Sequence, residues 1–224
     1  MQQITAPHDH AITIDLALDF LDTLEYQKGQ PVELLPTAAD AIDWLEEHGL
    51  IHDPCEPELD AIRGSEPAGT RALGRIRNVR AALREIVDAT VEDRPPSVEA
   101  IDTVNSAMEA RQRIVLVARA TEPHLGDPAG APCVVLDHRH VGDPLDDVLA
   151  RLAERIARAA SSADADRLRI CDNDDCRMPF YDASRTGKRR WCDMATCGNR
   201  AKAARHRARV RAGETGTMEP SAAD

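Results

Sequence analysis

CDNDDCRMPFYDASRTGKRRWCDMATCGNR, residues 171–200, holds four of the chain's six cysteines. They fall into two pairs of equal spacing, Cys171-x4-Cys176 and Cys192-x4-Cys197, with fifteen residues between the pairs. Two short-spaced thiolate pairs on separate turns can converge tetrahedrally on one Zn2+, and four sulfur ligands leave no open position for chemistry. The spacing therefore predicts one structural metal, and its x4 intervals predict looser turns than the commoner x2. Two disulfides or an iron–sulfur cluster could also use four cysteines. Disulfides suit a secreted chain, whereas MQQITAPHDHAITIDLALDF, at the start, lacks the basic n-region and long apolar run of a signal peptide. Cys55 and Cys133 show no partner pattern, and Cys133 reads as a small core residue.

Few apolar side chains surround the cysteines. Between residues 167 and 211 most of them are Leu168, Ile170, Met178, Phe180, Tyr181, Trp191, Met194 and Val210. So small a set cannot build a core alone, and the metal is expected to supply much of the folding free energy. Phe180, Tyr181 and Trp191 are expected to pack around it.

Charge divides the 224 residues into two blocks. Residues 167–211 carry 13 Lys and Arg against 5 Asp, an excess of +8, so the net charge of −11 leaves −19 for the remainder. The basic excess concentrates after the last cysteine, in GNRAKAARHRARVRAG, which is rich in alanine and free of proline. This predicts a helix beginning at or just after Cys197. At 100° per residue, Arg200, Arg207 and Arg211 share one side, Lys202, Arg205 and Arg209 the other, and Ala201, Ala204 and Ala208 lie between. A core-facing helix would show an apolar stripe, and a salt-bridged surface helix would show acids at i+4. Two basic rows flanking small residues fit a nucleic-acid groove, each row meeting phosphates. Docking on the chain's own acidic body is the competing use of the same charge.

Upstream of the cysteines the pattern is mostly helical. Leu16, Phe20, Leu21 and Leu24 predict a helix over 15–26, followed by a breaker-rich loop, KGQPVELLP. Thr37 is the expected N-cap of a helix stopped by Gly49, and further helices are expected near 56–63, 69–93 and 97–111. RIVLVARA (113–120) and APCVVLDH (131–138) read as a strand pair, and Asp143-Pro144 opens a helix ending near Ser161-Ser162. The expected fold class is thus α+β and mostly α-helical. A helical N-terminal domain with a small antiparallel strand pair (1–162) precedes a small four-cysteine zinc-finger module ending in a basic helix (163–211), with a disordered tail over 212–224.

The run Cys197-Gly198-Asn199-Arg200, together with Arg189–Cys192 (RRWC) and the basic helix beyond, resembles the CGNR zinc-finger family of bacterial proteins over about Leu168–Arg209. The resemblance implies that Cys171, Cys176, Cys192 and Cys197 bind zinc and that the finger binds DNA, with Arg189, Arg190, Arg200 and Lys202 as first candidates. The region before it resembles the ABATE domain that precedes such fingers, on LALDFLDTLEY, on Ala39–Leu50 with Trp44-Leu45, and on Val104-Asn105. That domain typically carries Asn-Thr where this chain has Asp22-Thr23.

The full nucleic-acid candidate set is Arg185, Lys188, Arg189, Arg190, Asn199, Arg200, Lys202, Arg205, Arg207 and Arg209. Asp19, Asp22, Thr23 and Asn105 are the candidates for an effector. Asp19, Asp22 and Glu25 could also pair for acid–base work, but a solvated helix face explains them more simply, and no enzyme is expected. No apolar run approaches the roughly 18 residues of a membrane span. The expected protein is a cytoplasmic, zinc-stabilised, DNA-binding transcription regulator whose N-terminal domain senses a small molecule or forms a homodimer. An RNA-binding or ribosome-associated module, and a protein-interaction module, are the alternatives.

Overall fold

The computed structural model describes residues 12–27, 29–51, 56–109, 112–118, 134–140 and 143–215. Seven α-helices and three two-stranded antiparallel sheets carry the described residues. Helix α1 (Ile14–Asp22) is capped by Thr13, whose side chain accepts from Leu16 N–H, and it buries Ile14, Ala17, Leu18, Phe20 and Leu21 along one face. Helix α2 (Ala38–Glu47) opens as expected on Thr37, in a reciprocal capping box with Asp40. It ends on Gly49 at φ +65°, where the N–H groups of Gly49 and Leu50 return to the carbonyls of Glu46 and Leu45. That pair of bonds is a Schellman cap, and glycine meets its left-handed φ without strain.

Helix α3 (Glu56–Gly64) leads into α4 (Glu66–Val91), the 26-residue spine of the body. Helices α5 (Val98–Met108) and α6 (Pro144–Ala160) pack against it, and α1 rests on both α4 and α6. Their shared core is apolar and nearly dry: Phe20, Leu21, Ile76, Leu83, Leu145, Leu152 and Ile156 are each at most 1% exposed. No helix among the described residues is long and apolar enough to cross a membrane.

Two stretches depart from the expected elements. Helix α1 stops at Asp22, and the chain turns into a hairpin of β1 (Leu24–Gln27) and β2 (Gln30–Glu33), with Gly29 at φ +75° in its turn. Leu24 sits at helical spacing from Leu21, which is why local periodicity extends the helix too far. What pins the hairpin is long-range: Glu33 pairs with Arg80 of α4, which also donates to Thr23 Oγ1 at 2.7 Å. The expected ribbon is present as β3 (Gln112–Ala118) paired with β4 (Val134–His140), displaced by one to three residues at its ends.

A third hairpin, unanticipated, joins the body to the cysteine segment. Strand β5 (Leu168–Ile170) pairs with β6 (Pro179–Tyr181), and Leu168, 2% exposed, lies within the main core beneath α4. Tyr181 and Ile170 pack on the same core. The cysteine segment is therefore rooted in the body.

Candidate metal centre and nucleic-acid interface

The first cysteine pair sits on the turn that links β5 to β6. Cys171 N–H donates to the Met178 carbonyl, and the N–H groups of Cys176 and Arg177 both reach the Asn173 carbonyl, at 2.8 and 3.0 Å. The second pair lies on a wide turn, Met194–Gly198, capped by the Asp193 carboxylate, which accepts from Thr196 N–H at 2.7 Å. A Cβ on Gly198 would come within 2.9 Å of the tip of the Met194 side chain, so a larger residue there would push that methionine aside.

All four sulfur atoms lie within 4.8 Å of one another. Cys176 and Cys192 Sγ are 3.6 Å apart, and Cys192 and Cys197 Sγ are 3.8 Å apart. A disulfide needs about 2.05 Å. By contrast, a tetrahedron with Zn–S bonds of about 2.3 Å has sulfur–sulfur edges of about 3.8 Å. Burial pushes the Cys176 thiol up to about 12, with the nearby Cys171 adding to it, and burial followed by Cys176 raises Cys192 too. Against burial, Asn173 and the other thiols draw Cys197 down. Four thiolates this close cannot ionise together without a cation among them, and a divalent ion supplies that charge. Cys171, Cys176, Cys192 and Cys197 thus fit one structural zinc, with Asn173 Nδ2 donating to Cys197 Sγ at 3.4 Å from outside the ligand set.

The loop between the pairs is built around a carboxylate that sequence reasoning missed. Asp182, fully buried, accepts from Ser184 and Arg189 N–H at 2.9 and 2.7 Å. Although burial pushes the other way, these bonds hold it at about 2. Arg189 then stacks over Phe180, 5.1 Å from the ring centroid, and its Nη2 donates to the Cys192 carbonyl. Of the three aromatics expected around the metal, Trp191 packs on the cysteine cluster, half-buried with the Arg190 guanidinium over its ring, whereas Phe180, though buried, does not and Tyr181 packs on the main core. Arg190 also pairs with Asp172. Both arginines therefore carry structural bonds in addition to their charge.

Helix α7 (Asn199–Thr215) begins directly after the second cysteine pair, where the sequence placed it, and runs four residues past the expected start of the tail. Residues 216–224, together with Cys55 and Cys133, lie outside the described residues. Residues 202–211 are all exposed, as are Asn199 and Arg200. Among the described residues, Arg200, Lys202, Arg205, Arg207 and Arg209 make no ion pair or hydrogen bond from their side chains. Asn199 Nδ2 donates to the Ala195 carbonyl at 2.9 Å. Arg185 and Lys188 are exposed on the loop before Arg189.

The four effector candidates do not converge. Thr23, 2% exposed, is committed to the Phe20 carbonyl and to Arg80. Asp19 is exposed at the surface of α1, and Asn105 is exposed on α5. Asp22 faces α4, and its Oδ1 is buried without a hydrogen-bond partner. Burial raises its pKa to about 8, with Arg84 opposing and Asp19 and Glu25 adding to the rise. A carboxyl with a raised folded-state pKa stabilises below its unfolded value, near 3.8, and that stability is lost as pH climbs through about 8. Asp22→Asn is expected to remove this decline, leaving the variant more stable than the parent at pH 9 by about 2 kcal/mol. Urea unfolding at pH 5 and pH 9 checks it; the same fall in both proteins would contradict the assignment.

A hydrogen bond ties this corner of the body to the metal centre. Arg84 Nη2 donates to the carbonyl of Arg177, the residue after Cys176, at 2.7 Å, while its Nε holds Asp88 at 3.0 Å. Arg177 itself takes a left-handed φ of +51°. Cys171 N–H closes the turn on Met178 from the other side.

Comparison with protein-family models gives two matches. The ABATE model, described as "Putative stress-induced transcription regulator", matches residues 15–166, and the CGNR zinc finger model matches residues 167–210. No curated protein matches the chain. The chain belongs to the ABATE family, with a CGNR zinc finger following the ABATE region.

Proposed function

We propose that this protein is a DNA-binding regulator in which the zinc centre fixes the start of α7 and α7 lies along duplex DNA. The observation that carries the reading is the exposure of α7 from Lys202 to Arg211, with basic residues on two sides and no acidic partner shown for Arg200, Lys202, Arg205, Arg207 or Arg209. A helix of 17 residues spans about 25 Å, roughly twice the width of the major groove. Arg200 and Arg207 supply one row of phosphate contacts, and Lys202, Arg205 and Arg209 the other. Arg185, Lys188 and Arg190 extend the footprint, with Arg189 acting first as a brace. Asn199, at the start of the helix, is the residue suited to reading a base edge. The body, at −19, repels polyanions and keeps the DNA on the finger.

An RNA-binding module would favour exposed aromatic platforms beside the metal. Phe180 is buried and Trp191 is covered by Arg190, so the DNA reading is preferred. The test is the salt dependence of binding to a labelled random duplex by the zinc-loaded protein. The five residues of the two rows alone give a slope near −4.5 in log–log form, or a loss of roughly five-hundredfold in affinity between 50 and 200 mM salt. A flat dependence would replace DNA with a protein partner, and tighter binding to structured RNA would replace it with RNA.

A further inference from the structure

We infer that Arg84 of α4 is a positioning residue for the metal centre: it orients the peptide that aims an N–H at the Cys176 sulfur, so that the body sets how tightly zinc is held. The inference stands whether or not α7 binds DNA.

The amide between Arg177 and Met178 has a partner at each end. Its N–H is hydrogen-bonded to Cys176, and its carbonyl accepts from Arg84 Nη2 at 2.7 Å. A peptide group is planar, so fixing the oxygen also fixes where the hydrogen points. A donor to a ligand sulfur offsets part of the thiolate charge and locks the direction of the ligand, as groups just outside a metal's own ligands do. The next carbonyl, that of Met178, accepts from Cys171 N–H. The same short stretch therefore serves both cysteines of the first pair.

The conformation of the turn is the reason it needs support from outside. Arg177 takes a φ of +51°, in the left-handed region that glycine adopts freely and other residues enter only at a cost. Released, it would rotate back and carry the Met178 N–H away from the sulfur. The β5–β6 hairpin anchors the chain only as far as Ile170 and again from Pro179. Among the described residues, the bond from Arg84 is the one hydrogen bond that joins the helical body to the turn 171–178.

Arg84 is itself well held. Its side chain is 17% exposed, and Asp88, one turn further along α4, accepts from Nε at 3.0 Å and orients the guanidinium. Asp22 of α1 attracts the same charge. An ordinary surface arginine would stop at its i+4 acid. Here a second nitrogen reaches a carbonyl 93 residues away, and a charged donor makes that bond stronger than a neutral one.

The experiment competes the full zinc-loaded chain against a chromophoric zinc chelator and reads the dissociation constant of the metal. Arg84→Gln is expected to hold zinc about tenfold more weakly than the parent. In an Arg177→Gly background, where the left-handed turn needs no support, the same substitution should cost less than about threefold. Glu33→Ala, which weakens the body away from the turn, should leave the constant unchanged. Circular dichroism of each variant before titration confirms that the helical body is folded. Equal zinc affinity in Arg84→Gln and the parent would overturn the inference. So would an equal loss in Glu33→Ala, which would make body stability the cause, or an undiminished loss in the Arg177→Gly background.

Discussion

Removing zinc from this protein is expected to unfold residues 171–200 and release α7, while α4 and α6 stay folded. The asymmetry follows from what holds each part. The body has a continuous apolar core through Ile76, Leu83, Leu152 and Ile156, whereas the buried cluster around the metal is made of Cys171, Cys176 and Cys197, with Met178, Trp191 and Cys192 packed against it. Structural zinc contributes an apparent 10–16 kcal/mol in small fingers, roughly, and nothing in that cluster could replace it. Helix α7 has no apolar stripe, and a solitary helix of its length is marginal in water. Hydrogen exchange before and after chelation is the measurement. Protection should vanish over 171–200 and α7, and persist in α4, α6 and around Leu168, which is anchored in the main core. Cys192→Ser should reproduce the pattern without a chelator. Undiminished protection of the cysteine turns in the apo protein would contradict a metal-built finger.

The second large effect is expected at Glu33. Arg80 is 3% exposed, and its guanidinium is met by both carboxylate oxygens of Glu33 and by Thr23 Oγ1. Removing one partner of a buried pair leaves the other charge desolvated and alone, which costs more than the pair contributes while intact. Glu33→Ala should therefore destabilise by about 3 kcal/mol, the low end for a buried pair, because Glu33 is itself a quarter exposed. In a domain of this size that lowers Tm by about 6–12 °C. The pH profile carries the same signature. Burial pushes Glu33 up, but the Arg80 hydrogen bond, the Leu35 N–H and Arg77 prevail and lower its pKa. A carboxylate with a lowered folded-state pKa stabilises above its unfolded value, near 4.5, and that stability is lost as pH falls through the folded value. The parent should weaken below pH 4.5 by more than the variant does. A loss under about 1 kcal/mol at neutral pH would show that the hairpin, not the ion pair, secures Arg80.

Local rules made the helical body legible. Thr37 and Gly49 bracket α2 as their chemistry requires, Asp143-Pro144 opens α6, and both strands of the β3–β4 ribbon read as β-branched runs. The four cysteines were legible because metal ligation imposes spacing on sequence. What escaped reading depends on contacts across long separations. The β1–β2 hairpin is secured by Glu33 reaching Arg80, 47 residues away, and the β5–β6 hairpin by Leu168 entering a core built from helices far upstream. Asp182 gave no signal either, since a buried aspartate and a surface aspartate look alike until the loop folds around it. The nearest hint was its place within the fifteen-residue loop between the cysteine pairs, a length of chain that needs something to organise it. Arg189 and Arg190 read as phosphate contacts from charge alone, and their bonds to Cys192 and Asp172 appear only in three dimensions.

The most direct test of the whole account uses one preparation: zinc content per chain, then anisotropy of a labelled duplex with the loaded, chelated and reloaded protein at about 100 mM salt, where phosphate contacts still register. One zinc per chain, binding by the loaded protein, loss of at least tenfold in affinity on chelation, and recovery on reloading are expected. Equal affinity with and without the metal would contradict this, because α7 would then meet DNA without the centre that is argued to hold it in place.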